Sequence, residues 1–178
     1  MNMRPSSTPR SLARIIIAKM EKPIIAIDPG VAGGFAWVDS DGITHAESMP
    51  VGMTAQADRL RSLAAKNNQL KAVLEKVGTY VPGNGGPATA TFARHVGNLE
   101  GILFTLSIST EQVAPSVWQR ALGTLPKDKP VRKRAIRELM ARRFPHLVVS
   151  LKTADALGLL TWATERQSPK PSGDGIGN

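Results

Sequence analysis

The sequence predicts an α/β fold in which a five-stranded mixed sheet is flanked by helices. Three short strand-like runs follow one another early in the chain, separated by Pro-Gly, Gly-Gly and Asp-Gly turn signals. Helical and strand patterns then alternate, which is typical of strands connected by helices. The chain has 178 residues, 42% of them hydrophobic, so it is long and apolar enough for one globular domain with a real core.

The strands are predicted from short apolar runs bounded by turn residues. The strongest run is IIAI over 24–27, which is mostly β-branched and leads directly to one acid, Asp28. The run FAWV follows a glycine pair, and the hairpin signal DSDG leads into the third strand. The predicted strands cover 24–28, 33–38, 43–49, 70–77 and 110–114.

The helices are predicted from apolar residues at helical spacing. The first helix places Leu60, Leu63 and Ala64 on one face. A glycine-rich loop over 78–88 follows the fourth strand, and its position suits a segment that engages a substrate. The predicted helices cover 54–66, 89–106, 116–122, 130–143 and 153–166.

The two ends differ in composition from the rest of the chain. Residues 1–22 are basic and rich in Ser and Arg, and we expect a flexible arm or a stretch upstream of a natural start at Met20. Organelle targeting is the alternative for this stretch. Residues 168–178 have the Pro, Gly and Ser content of a disordered tail. The globular domain is therefore expected to cover 23–167.

The composition excludes several classes of site. The chain has no cysteine, which rules out disulfides, thiolate metal sites and a cysteine nucleophile, and which suits a cytoplasmic setting. No apolar run approaches the ~18 residues of a membrane span, so we expect a soluble protein.

The charge predicts a polyanionic partner. The net charge is +9 and the pI is about 10.4, for which nucleic acid is the commonest explanation, although charge alone does not separate DNA, RNA and a membrane surface. Residues 116–146 carry nine basic side chains against two acidic ones. A solvated helix face normally mixes signs more evenly, so this region favours phosphate contact.

Three acids lie in otherwise apolar elements far apart in the sequence: Asp28, Glu75 and Asp155. Each alone has a structural interpretation, because Asp28 is in ordinary turn chemistry, Glu75 could be a strand-edge charge, and Asp155 could complement a helix dipole. Asp155 is expected in the first turn of a helix that Thr153 caps. Jointly the three acids indicate a site for a hard cation such as Mg²⁺, which prefers carboxylate oxygen and acts on phosphate substrates.

The ordered motifs resemble RuvC-type Holliday junction resolvases, and most closely their phage and prophage relatives. The resemblance covers about 23–166 and rests on IIAIDPGVAGGFAWV, AVLEKV, GNGGPATATFARHVGNLEGIL, VAPSVWQRALG and TADALGLLTWA. It implies a ribonuclease H-like fold, a homodimer, and Mg²⁺- or Mn²⁺-dependent hydrolysis of four-way DNA junctions in recombination and repair. The expected location is then the cytoplasm of a bacterial or phage-infected cell.

The resemblance also assigns roles to individual residues. Asp28 matches the family's first-strand aspartate, Glu75 its fourth-strand glutamate and Asp155 its final-helix acid. In a two-metal mechanism Asp28 would bridge the ions, and the other two acids would each anchor one side. Lys129 matches a lysine that approaches the DNA backbone.

This chain departs from the family pattern at two places. Lys152 stands three residues before Asp155, where the family usually has a fourth carboxylate. Its ammonium either points into the acid cluster or turns out to solvent, and both orientations predict weak metal affinity. Gln119 and Arg120 follow the tryptophan after which the family often has a lysine.

The expected DNA contacts are mostly basic side chains. We predict Phe92 as a wedge at the junction, with a buried aromatic on a dimer helix as the alternative. The predicted DNA-binding residues are Arg94, Arg120, Lys127, Lys129, Arg132, Lys133, Arg134 and Lys152.

The helix over 89–106 is the predicted dimer interface, with the hydrophobic core as the alternative role for its apolar face. That face consists of Ala93, Val96, Leu99, Ile102, Leu103 and Leu106.

Three other functions compete with junction cleavage. The first is a branched-DNA-binding protein that has lost efficient cleavage, which Lys152 motivates. The second is a nuclease of the same fold that cuts RNA–DNA hybrids or flaps. An actin-like ATPase is disfavoured, because its further phosphate-binding glycine motifs are not evident.

Overall fold

The computed structural model describes residues 23–67, 69–78 and 86–167. The arm predicted over 1–22, the tail over 168–178 and most of the glycine-rich loop lie outside the described residues. The described strands are β1 (Ile24–Asp28), β2 (Gly34–Val38), β3 (Thr44–Ser48), β4 (Lys71–Glu75) and β5 (Ser109–Val113). The described helices are α1 (Met53–Lys66), α2 (Gly86–Thr105), α3 (Pro115–Ala121), α4 (Lys129–Arg143) and α5 (Leu151–Gln167). Within these ranges no helix combines the length and apolar character needed to cross a bilayer.

The strands form one mixed sheet in the order β3-β2-β1-β4-β5. β1, β2 and β3 are antiparallel neighbours, whereas β4 and β5 join β1 in a parallel arrangement. Ile27 pairs with Leu74 across β1 and β4, so both strands end at the same edge. This architecture confirms the predicted five-stranded mixed sheet flanked by helices.

β1 is buried on both faces because it lies at the centre of the sheet between two helical layers. Ile24 and Ala26 face a core that includes residues of α3, α4 and α5. Ile25 and Ile27 face the opposite core, which includes residues of α1 and α2. Burying one such isoleucine contributes about 1.5–3 kcal/mol, and this explains why the strand is almost continuously apolar.

The glycine pair before β2 lets that strand return closely against the end of β1. A Cβ at Gly33 would overlap the carbonyl oxygen of Asp28. A Cβ at Gly34 would lie 2.5 Å from the carbonyl oxygen of Glu47 in β3. The glycines are therefore required by close backbone approach, and they fix the turn beside Asp28.

All five described helices begin earlier than predicted, three of them by a single residue. α2 starts at Gly86 rather than near residue 89, and α5 starts at Leu151 rather than at residue 153. The hydroxyl Oγ of Ser150 accepts a hydrogen bond from the Lys152 amide (3.2 Å), while the Ser150 amide donates to Thr153 Oγ1 (3.0 Å). This reciprocal pair resembles a capping box.

The cap of α5 therefore corrects two predictions. Ser150, not Thr153, is the capping residue. Asp155 is the fifth residue of α5, so its predicted place in the first turn is wrong. Since the helix-dipole effect fades beyond the first turn, dipole complementation does not account for an acid at this position.

Candidate active site

Asp28, Glu75 and Asp155 line one cavity of about 600 Å³ at the edge of the sheet where β1 and β4 end. Asp28 and Asp155 are each 7% exposed, and Glu75 is half-buried. Four basic residues share this cavity: Lys76, Lys129, Arg132 and Lys133. The structure thus brings together acids that are separated by up to 127 positions along the chain (155 minus 28).

The local fold explains why the three acids converge. Asp28 and Glu75 directly follow the paired residues Ile27 and Leu74, so two parallel strands deliver them side by side. α5 packs against β1 and presents Asp155 to the same edge. Carboxyl ends of neighbouring parallel strands are a common place for functional side chains.

The environment of Asp28 and Glu75 favours the protonated forms of their carboxyl groups. Burial raises the pKa of Asp28 to about 7, with a further contribution from the negative charge of Asp155 and an opposing one from Lys133. Burial also raises the pKa of Glu75 to about 8, and the charges of Asp28 and Asp155 add to this effect. Carboxyl groups that resist ionisation near neutral pH are typical of functional sites.

Trp118 holds Glu75 in place and was not singled out from the sequence. Its indole Nε1–H donates a hydrogen bond of 3.0 Å to Glu75 Oε2. The ring is fully buried and lies so close to α5 that a Cβ at Gly158 would be 2.6 Å from its Cζ3 atom. Gly158, an otherwise unexplained glycine within an apolar helix, is the sequence signal that could have pointed to this close approach.

Replacing Trp118 by phenylalanine tests this support. Phenylalanine keeps an aromatic ring but removes the donor to Glu75. Because this hydrogen bond lowers the pKa of Glu75, we expect Trp118→Phe to raise that pKa further and to cost about 1–3 kcal/mol of stability. Carboxyl-carbon NMR titration and denaturant unfolding measure the two effects. Trp162→Phe, at a buried tryptophan of α5, should leave the Glu75 titration unchanged, and an equal shift in both variants would contradict the assignment.

Lys133 is the cation that contacts the acid cluster. Its Nζ lies 3.0 Å from Asp155 Oδ2, and its side chain is 39% exposed. Burial lowers the pKa of Lys133, but the charge and hydrogen bond of Asp155 and the charges of the other two acids raise it more, so the net pKa is raised and the ammonium stays charged.

Lys152 does not occupy this position. Its side chain is exposed, and the residues that line the cavity do not include it. Of the two orientations considered for Lys152, the structure has the solvent-facing one. The lysine beside the acids comes instead from α4, a helix whose basic residues the sequence had assigned to DNA contact.

The other predicted DNA-binding residues fall into two groups. Lys129 and Arg132 line the cavity together with Lys133. Arg132 also donates from Nη1 to the carbonyl oxygens of Lys127 (2.7 Å) and Pro126 (3.3 Å), so it helps to fix the loop before α4. The remaining members are exposed away from the cavity lining, and their DNA contacts stay predictions: Arg94, Arg120, Lys127, Arg134 and Lys152.

Phe92 lies at the wall of the candidate site. It is half-buried on α2 and lines both the acid cavity and a neighbouring cavity of about 310 Å³. The ring packs against the turn after β1, where a Cβ at Gly30 would lie 3.1 Å from Cε2. Phe92 is therefore next to the acids, and its role as a wedge stays a prediction.

The acids suit a hard cation but do not form a closed cage for one. Across residues 23–67, 69–78 and 86–167, no three Asp, Glu, His or Cys side chains are arranged so that they could together hold a metal ion. Mg²⁺ is usually bound by one or two carboxylates together with waters and substrate phosphate oxygens. Buried carboxylates that repel one another beside cavity-lining cations fit such an open site, which a phosphate would complete.

The comparisons with known proteins show the fold. No protein-family model and no curated protein sequence matches this chain. A structure of Thermus thermophilus RuvC in complex with a Holliday junction substrate is 14% identical, with a TM-score of 0.52 over 82% of this chain and 95% of that chain. Another Thermus thermophilus RuvC structure is 13% identical, with a TM-score of 0.49 over 84% of this chain and 99% of that chain. The chain has the RuvC fold, and the expected ribonuclease H-like fold is confirmed.

Proposed function

We propose that the protein is a RuvC-type, structure-selective endonuclease that hydrolyses phosphodiester bonds at four-way DNA junctions with Mg²⁺ or Mn²⁺. The observation that carries this proposal is a cavity lined by three carboxylates and four basic residues at the edge of a RuvC-like sheet. The relative was solved with a Holliday junction substrate, which supports branched DNA as the ligand. The bacterial or phage-infected cytoplasm is the location proposed with this function.

The acidic residues of the cavity would bind the metal ion, and its basic residues would bind DNA. Asp28, Glu75 and Asp155 line the cavity, where one or two of their carboxylates, together with waters and phosphate oxygens of the DNA, would hold a divalent ion. When bound, such an ion would activate water and would neutralise the charge that develops at phosphorus. Lys129 lies at the start of α4, on the cavity wall, and binds a phosphate of the strand to be cut. The hydrogen bond from Trp118 keeps Glu75 turned toward the cavity.

The rest of the basic surface supplies affinity rather than chemistry. Arg134, Arg137 and Arg142 are exposed on α4. The sequence of this helix contains one acid, Glu138, so most of its positive charge is not balanced within the helix. Phosphate contacts of this kind position the duplex without reading its sequence. Binding should therefore weaken steeply as salt is raised, because counterion release dominates such contacts.

The deciding experiment compares cleavage of three labelled substrates: a four-way junction, a linear duplex and an RNA–DNA hybrid. Each is incubated with and without Mg²⁺ or Mn²⁺. Symmetric nicks near the junction point that require the divalent ion would support the proposal. Preferred cutting of the hybrid would favour a different nuclease of the same fold.

A junction-binding protein without efficient cleavage is the second candidate. It is favoured by the exposed Lys152 at the place of a family carboxylate and by the ion pair that engages Asp155. In the same experiment it would retain labelled junctions in a mobility shift but release no nicked product at any divalent concentration.

A homodimer is proposed on the exposed face of α2. The predicted interface set needs correction, because Leu99, Ile102 and Leu103 are buried in the protein's own core. The exposed stripe of this helix is formed instead by Ala93, Gly97, Gly101 and Phe104, at helical spacing.

The shape of this stripe suits a second copy of the helix. A Cβ at Gly97 or Gly101 would meet nothing within 4 Å, so the backbone there is open to close approach. Phe104 is 85% exposed, an unusual state for a large aromatic ring. A two-fold dimer would bury both rings and present two equivalent sites to opposed strands of a junction.

Replacing Phe104 by glutamate should convert the dimer to a monomer, because two buried carboxylates would face the interface. Sedimentation velocity measures the change. Val148→Glu is the matched control, since Val148 is 99% exposed and lies outside α2. A native protein that sediments as a monomer, both free and on a junction, would contradict the dimer.

A further inference from the structure

We infer that the Lys133 ammonium serves as a tethered cation of the acid cluster, so that each site takes one divalent ion rather than two. The inference deepens the proposed nuclease function and rests on it. It concerns which positive charges balance the three carboxylates, and its test counts metal ions rather than cleavage products.

The position of Lys133 on α4 is built into the packing of the helix. Ile136 and Met140 are the buried residues of α4 and form its inner face toward α5. Lys133 precedes Ile136 by three positions and Met140 by seven, so it shares that inner face. Among many solvent-facing basic residues of α4, Lys133 is thus turned into the fold.

The start of α4 is also fixed, which sets where Lys133 can reach. Asp128 caps the helix by accepting from the Val131 amide (3.0 Å), and Pro130 occupies its first turn. Arg132 holds the preceding loop through two carbonyl oxygens. With its helix anchored at both the cap and the core, Lys133 brings Nζ to 3.0 Å from Asp155 Oδ2.

Lys133 is distinguished from the other cations of the cavity by its partner. Lys76 and Lys129 are exposed, and Arg132 donates to backbone carbonyl oxygens. Among the salt bridges of the described residues, the one that reaches an acid of this cluster is made by Lys133. The ammonium therefore belongs to the charge balance of the acids even when no DNA is bound.

The charge balance then favours a single divalent ion. Once a divalent ion has displaced the protons of the acids, three carboxylates and the ammonium that contacts them leave two negative charges, which that one ion neutralises. The fourth carboxylate that the resemblance leads one to expect is absent, because its position carries the exposed Lys152. A second divalent ion would add two positive charges to a site already neutral, and affinity for such ions depends on ligand charge.

The experiment titrates MnCl₂ into the full chain without DNA and counts bound ions by the electron paramagnetic resonance signal of free Mn²⁺. We expect one ion per chain for the native protein. Lys133→Met removes the ammonium but keeps much of the apolar stem, and it should bind a second Mn²⁺. Lys133→Arg keeps the charge and should still bind one. Lys152→Met, at the exposed lysine, should also bind one.

A second measurement, thermal unfolding in EDTA, follows the same variants without metal. Lys133→Met should unfold at a lower temperature than the native protein at neutral pH, because the acids lose their cation, and Mn²⁺ should reverse the loss. Lys133→Arg and Lys152→Met should unfold close to the native temperature.

The outcomes separate this inference from the proposed function. Two ions bound to the native protein, or one ion bound to Lys133→Met, would overturn the tethered cation while leaving a metal-dependent nuclease in place. No Mn²⁺ bound by any variant would also overturn the inference, whereas the proposed nuclease is judged separately by the cleavage of junctions with divalent ions.

Discussion

Asp28→Asn is expected to lower junction cleavage by about a thousandfold or more, which corresponds to ~4 kcal/mol of transition-state stabilisation. The substitution preserves the shape of the side chain at the end of β1 but removes the charge that would bind a divalent ion. Asp28 is only 7% exposed, so it offers little surface to DNA. Junction affinity should therefore stay within about twofold of native, a change of only a few tenths of a kcal/mol.

Single-turnover cleavage and a mobility-shift titration measure the two quantities on the same labelled junction. The matched control is Asp58→Asn, at an exposed acid of α1 that pairs with Arg61. This control should cut and bind like the native protein. If Asp28→Asn lost binding in proportion to cutting, the carboxylate would be a structural or DNA-contact residue rather than part of the reacting centre.

The sequence was sufficient to predict the sheet because its strands are short, apolar and bounded by turns. β1 was predicted with both ends correct, since a central strand buried on two faces leaves an unmistakable apolar run. The starts of α2 and α5 were missed by two or three residues. At α5 the reason is that Ser150 and Thr153 are both possible caps in SLKT. The structure uses the earlier one, Ser150, so the helix begins before Thr153.

The acids of the candidate site could also be found from sequence, because a carboxylate in an apolar element needs a partner. The side chains that act on those acids could not. Trp118 and Glu75 are 43 positions apart, and they meet because β5, which leads into α3, pairs with β4 so that Val113 lies opposite Glu75. The sequence does not distinguish Lys133 from its basic neighbours, because the inner face of α4 is known only from the packing of the helix. Charge composition does not carry that information.

In the absence of divalent ions, the free energy of unfolding is expected to fall as the pH rises from about 4 to about 8. In the unfolded chain Asp28 and Glu75 ionise near their ordinary values of 3.8 and 4.5, whereas folding raises their pKa values to about 7 and about 8. Between these limits the folded protein binds more protons than the unfolded chain, so stability decreases with rising pH. Both groups act in the same direction, so the free energy of unfolding should fall by several kcal/mol over this range.

Calorimetric melting in EDTA across this pH range measures the slope, and the double variant Asp28→Asn with Glu75→Gln should flatten it because neither side chain can then ionise. Divalent ions should restore stability mainly at the alkaline end, since they bind the ionised carboxylates and compete with protons. Asp58→Asn should keep the native slope, because that acid is exposed. An equal slope in the native protein and in the double variant would mean that other groups set the pH dependence, and that the buried acids ionise as freely when folded as when unfolded.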